Sequence, residues 1–100
     1  MAVDQTFAPA YGRGVTASVT ATSAASELGK GSKSLCLTNT GDKVAYVRIG
    51  ESGLTATTAD YAVIGGSQVT ISKFMDHTHI AYVCGGSDST SLHIIPGEGY

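Results

Sequence analysis

Lys33-Ser34-Leu35-Cys36-Leu37-Thr38-Asn39-Thr40-Gly41-Asp42-Lys43-Val44-Ala45-Tyr46-Val47-Arg48-Ile49-Gly50 reads as two strands around a turn. Leu35 and Leu37 share one face of the first strand and Cys36 takes the other. Asn39 to Asp42 forms the turn, because Asn and Asp side chains bond their own backbone and Gly accepts positive φ. The second strand, Lys43 to Ile49, sets Ala45, Val47 and Ile49 opposite Val44, Tyr46 and Arg48. Both of its faces are partly apolar, so it is central in its sheet or has its outer face covered.

The same alternation extends in both directions. Downstream, short strands are expected at Tyr61–Ile64, around Val69 and Ile71, at Thr78–Cys84 and at Thr90–Ile95. They are separated by Gly65-Gly66, a corner from Phe74 to His77, and Gly85 to Ser87. Leu92 and Ile94 should face inward, His93 and Ile95 outward. Pro96 cannot donate to a ladder and should end that strand. Leu54 to Thr58 is a Thr-rich link. Upstream, Val15, Ala17, Val19 and Ala21 alternate with Thr and Ser as a first strand, and Ser23 to Glu27 is expected to make a helical turn ended by Gly29 and Gly31. Residues 1–14 lack periodicity and contain Pro9, Gly12 and Gly14, so they read as an extended arm. Turn signals every eight to twelve residues predict a small all-β antiparallel sandwich over 15–100. Its core should be Val19, Leu35, Leu37, Val47, Ile49, Val69, Ile71, Ile80, Leu92 and Ile94.

The 100 residues make one domain. Charged residues are only 14% of the chain, against about 25% in an average soluble domain. A surface so poor in charge is weakly protected against association, so part of it should be covered by a partner. With a net charge of −2 and no Lys/Arg cluster, nothing reads as a nucleic-acid or membrane footprint. No basic and apolar leader is visible at the start, and synthesis in the cytoplasm is expected.

The residues capable of chemistry have plainer readings. His77 and His79 are two apart beside Asp76, and His93 could pair across, so a two-His-one-carboxylate site is conceivable. The same residues serve equally as polar positions at a corner and on a solvent face, or as a pH-sensitive subunit contact. Cys36 and Cys84 read as reduced, buried thiols, with a cross-sheet disulfide as the alternative. Gly29 to Ser34 lacks the order of a phosphate loop and is followed by a strand. There is no nucleophile elbow. The carboxylates Asp42, Glu51, Asp60, Asp76, Asp88 and Glu98 fall in turns or at strand ends. No catalytic residue, cofactor or metal is therefore expected, and the chain reads as a non-enzyme.

From Leu37 onward the chain resembles a family of small structural proteins encoded by tailed phages and prophages. The residues that carry the likeness are Thr38 to Gly41 running into Val44 to Gly50, then Thr55 to Asp60, Thr78-His79-Ile80-Ala81, Cys84, and Ile95-Pro96-Gly97-Glu98-Gly99. The resemblance implies a capsid decoration or cement protein with a jelly-roll-like sandwich, or another minor head or tail component. It implies a place on the outer surface of the virion, after synthesis in the host bacterial cytoplasm. The partners would be the phage major capsid protein and further copies of the chain, as a dimer or trimer. Under this reading the arm binds the partner: Phe7, Pro9 and Tyr11 are anchors that fill pockets, and Arg13 adds a charge-assisted bond. A carbohydrate-binding or host-attachment β-module is the alternative.

Overall fold

The computed structural model describes residues 7–29, 31–74 and 76–98. Among them are nine strands: β1 (Ala8–Pro9), β2 (Val15–Val19), β3 (Ala24–Glu27), β4 (Ser34–Asn39), β5 (Ala45–Gly50), β6 (Tyr61–Val63), β7 (Gln68–Ser72), β8 (His79–Cys84) and β9 (Thr90–Glu98). The pairing is nested and antiparallel throughout. β5 pairs with β6, β4 with β7, β3 with β8 and β2 with β9. That is one long ribbon folded over itself, the winding of a jelly roll. Pairing of β4 with β9 and of β5 with β8 closes the ribbon into two sheets. One runs β2-β9-β4-β7, with β1 continuing the β2 side along the end of β9; the other runs β3-β8-β5-β6. The small antiparallel β-sandwich expected from the sequence is the fold found.

Period-two alternation fills the space between the sheets. Val19, Leu35, Leu37, Val47, Ile80, Leu92 and Ile94 are buried there, and Ile49, Val69 and Ile71 pack against them with part of their surface open. The two-sided strand at 43–49 is explained twice over. β5 lies between β8 and β6, and Tyr46 on its outer face joins Leu54, Ala56, Ala81 and Val83 in a second apolar cluster under the 51–60 loop.

Three expectations change. Ala24 to Glu27 is a strand, not a helical turn. Four residues are too few to nucleate a helix, and the ladder to β8 offers each of them partners. Pro96 does not end the last strand, which runs on to Glu98. Its carbonyl accepts from Ala10 N at 2.9 Å, so its donor-less nitrogen also faces the arm and leaves the β4 ladder intact. Finally, the described part of the arm is not extended throughout: Ala8 and Pro9 pair with Glu98 and Gly97 on the chain's own sandwich, and a turn follows at 10–13. Residues 1–6 of the arm fall outside the described residues. Both cysteines are free and buried. Cys84 points into the interior while Cys36 alternates with the core residues Leu35 and Leu37 and points out of the other sheet. The Cys84 thiol donates to Val19 O at 3.7 Å, and burial pushes its pKa up.

A polar side chain, that of Asn39, sits at the edge of the core. Asn39 is 1% exposed. Its amide nitrogen donates to Lys43 O at 2.7 Å and Val63 O at 2.9 Å. Its side-chain oxygen accepts from Gly41 N at 3.1 Å and Thr90 Oγ1 at 2.7 Å. Its backbone N–H and C=O are taken by Ser67 and Gly66. Every donor and acceptor of the residue is used. Asn39→Ala should lower the unfolding free energy by about 3 kcal/mol, because it strands buried carbonyls and opens a gap. At neutral pH Asn39→Asp should cost at least as much, since a carboxylate has no hydrogen to give Lys43 and Val63. Urea titration followed by circular dichroism checks both; a loss below about 1 kcal/mol for either would be the contrary result.

Candidate functional site

The outward positions of the β2-β9-β4-β7 sheet follow from alternation with the core. They are Thr16 and Ser18 on β2, Ser91, His93, Ile95 and Gly97 on β9, Ser34, Cys36 and Thr38 on β4, and Gln68, Thr70 and Ser72 on β7. None is Asp, Glu, Lys or Arg. One row crosses the sheet as Thr16, His93, Thr38 and Gln68. Thr16 Oγ1 and His93 Nδ1 are 3.3 Å apart, and Gln68 Nε2 donates to Thr38 Oγ1 at 2.8 Å. The imidazole lies against Gly14, where a Cβ would come within 2.9 Å of the ring. Hydroxyls, an amide and small side chains cost far less to desolvate than charges. A face of this kind suits burial against a protein, since the centres of protein interfaces are depleted of charged residues.

The arm borders this face, and the structure separates the four residues assigned to partner binding. The Phe7 ring packs over Gly97, where a Cβ would be 2.7 Å from the ring, and Pro9 is the register partner of that same glycine. Residues 10–13 then form a turn closed by Arg13 N donating to Ala10 O at 3.1 Å, with Gly12 at φ 83°. Arg13 Nη2 reaches back to donate to Leu28 O. Its guanidinium crosses Gly29, which has φ 78° and no room for a Cβ. Phe7, Pro9 and Arg13 thus hold the arm to its own sandwich. Tyr11, at the tip, is 87% exposed.

On the other sheet, Arg48 is held in a closed unit with Asp60. Arg48 meets Asp60 through Nε at 3.0 Å and Nη2 at 2.8 Å. Asp60 also accepts from Thr57 N at 2.7 Å, and Ala56 N donates to Ser23 Oγ at 2.9 Å. The Thr57 backbone bond first, and the Arg48 bond second, hold the Asp60 carboxyl below the usual carboxylate range. The 51–60 loop is thereby pinned across the β5–β8 surface.

A pocket of about 300 Å³ opens at the corner after β7, lined by Ile49, Ser72, Lys73, Phe74 and His77. It exists because β6 pairs only with Ala45 to Val47, which leaves Ile49 without a neighbour on that side. Lys73 is buried beneath the corner, and its Nζ donates to Phe74 O at 3.2 Å and His77 O at 2.8 Å. Burial, and then the nearby Arg13 charge, lower its pKa. The His77 ring stands edge-on to Phe74.

The three histidines do not meet. His77 belongs to the corner and not to the strand that carries His79. His79, bonded to Thr78 Oγ1 at 2.8 Å, alternates with the inward Ile80, and His93 lies on the outer face of the opposite sheet. Among the described residues no three His, Cys, Asp or Glu side chains gather as metal ligands. The corner pocket and the fourfold use of Asn39 were not read from the sequence. Phe74, apolar in a corner with no periodic reason to be there, was the signal available for the pocket.

The depressed Asp60 carboxyl fixes a pH dependence. Its contribution to stability is full above the carboxylate's unfolded value and is lost as pH falls through its lower folded value. The stability difference between the native chain and Asp60→Asn should therefore persist at mildly acidic pH and vanish only below the ordinary carboxylate range. Thermal melts across that range check it, and a difference that vanishes above the ordinary range would contradict it. Scanned against models of known protein families and searched against curated proteins, the chain finds no match in either comparison.

Proposed function

We propose that the chain is a non-enzymatic structural protein of a tailed-phage virion. It binds the outside of the head and stabilises contacts between major capsid protein subunits. The observation that supports this best is the uncharged outer face of the β2-β9-β4-β7 sheet, bordered by a docked arm that leaves Tyr11 outward. A decoration protein must settle on a repeating shell and stay there. A face without charges lowers the desolvation cost of that contact, and binding to assembled subunits but not to separated ones stabilises the shell by mass action. The resemblance carried by residues from Leu37 onward points the same way. The jelly-roll winding recurs in virion proteins, but also in lectins, so it counts as analogy alone. The alternative, a carbohydrate-binding or host-attachment module, draws on the corner pocket, where the Phe74 ring, 73% exposed, offers a platform for a sugar ring.

Heads from a phage deleted for this gene should take up the purified protein and then withstand higher temperature before releasing DNA. Tyr11→Ala should weaken uptake about tenfold, the effect of losing an anchor contributing roughly 1.4 kcal/mol. No uptake by such heads, together with retention on a glycan array that Phe74→Ala abolishes, would favour the alternative.

A further inference from the structure

We infer that β7 is a self-pairing edge, through which two copies of the chain join their β2-β9-β4-β7 sheets into one continuous sheet about a twofold axis. This stands apart from the virion reading and can fail or hold independently of it. The argument starts from the direction of the backbone groups. Lys73 N donates to Lys33 O at 2.8 Å and Asn39 N donates to Ser67 O at 2.9 Å. These two bonds bracket the β4–β7 register, in which Leu35 faces Ile71 and Leu37 faces Val69. The odd-numbered residues of β7 therefore bond to β4. By alternation, the N–H and C=O groups of Gln68, Thr70 and Ser72 point away from β4, to the open side.

The edge carries none of the devices that block pairing. Gln-Val-Thr-Ile-Ser has no charge, no proline and no glycine, and its ladder to β4 is unbroken. Natural edges are ordinarily guarded by such features or by a covering segment. Of the other edges, β6 is three residues long, β3 carries Glu27 and β1 carries Pro9. β2 is as free of charge, but β7 also has exposed apolar side chains near both of its ends. Ile64, in the turn before β7, is 66% exposed, and Phe74, just after it, is 73% exposed. Val69 and Ile71 point toward the core yet stay partly open on the same side.

A twofold pair centred on Thr70 uses every outward group. Gln68 meets Ser72 of the second copy, Thr70 meets its own equivalent, and Ser72 meets Gln68. A shift by one register step in either direction loses one of these pairs. Extending the register by two residues sets Phe74 opposite Gly66 of the second copy, in the turn that carries Ile64. Space is open there, since a Cβ on Gly66 would meet nothing within 4 Å. The exposed apolar residues at the two ends of β7 thus cover one another, twice by symmetry. Such an isologous contact closes on itself and stops at two copies.

Sedimentation of the full chain over a range of concentrations tests the assignment. The native protein should reach twice its monomer mass of 10.2 kDa. Thr70→Pro removes the central outward N–H without removing a β4 bond, and should remain monomeric at concentrations where the native chain is dimeric. Thr70→Lys sets two like charges side by side at the axis and should do the same, which decides the matter if the proline variant does not fold. Amide exchange gives the register: Gln68, Thr70 and Ser72 should lose protection on dilution, while Val69 and Ile71 keep theirs. A native chain that is monomeric throughout, or a dimer that survives Thr70→Lys, overturns the inference. Protection of the same three amides only on adding phage heads also overturns it, and would assign the edge to a strand of the capsid.

Discussion

The Asn39 carboxamide is the constraint on which one whole end of the sandwich depends. In it β4, the 40–44 loop, the end of β6 and the start of β9 are bonded to one group. Two of those partners lie in one sheet's territory and two in the other's, so the side chain fixes the spacing of the sheets as well as the path of the loops. The loops then close tightly around it. Gly65 passes so near Asp42 that a Cβ would come within 2.5 Å of that residue's carbonyl carbon. Burying a polar group at this point is tolerable only because nothing about it is left unpaired.

Part of the basic charge is used internally. Of the six Lys and Arg residues, Arg13, Arg48 and Lys73 are each engaged by groups of the chain itself. The other described charges, among them Glu27, Lys33, Asp42, Lys43, Glu51, Asp76, Asp88 and Glu98, are exposed in loops and at strand ends, on a surface otherwise of hydroxyls, small residues and a few apolar side chains. Such a surface does not steer partners from a distance. Its contacts depend on fit and on accumulated small interactions, which suits a protein meeting many identical sites better than one selecting a rare ligand.

The fold was largely legible in the sequence because sheets declare themselves by alternation and turns by their chemistry. Leu35 and Leu37, or Leu92 and Ile94, need no further information to be placed inward. Where the reading failed, long-range pairing decided. Ala24 to Glu27 has no strand character of its own and becomes one because β8 lies alongside. Pro96 is carried through the last strand because its missing donor faces the arm. The arm read only as an extended segment because its docking rests on Gly97, Gly29 and a distant carbonyl at Leu28, none of which leaves a periodic mark. The site was less legible than the fold for the same reason: a face becomes uncharged only when four strands distant in the chain are set side by side.

The nested winding has a consequence for synthesis. β5 and β6 are close in the chain and can meet as soon as both exist, but Val15 finds Ile94 only across nearly the whole chain. During translation β2 must therefore wait, unpaired, until β9 has left the ribosome. Its Thr and Ser positions, and the weakness of its Val and Ala face, keep that waiting strand from being a strongly apolar one. Because loop closure must come before such distant contacts are rewarded, pairs of this kind are intrinsically slow to form. The residues that complete the sandwich lie far apart in the order of synthesis.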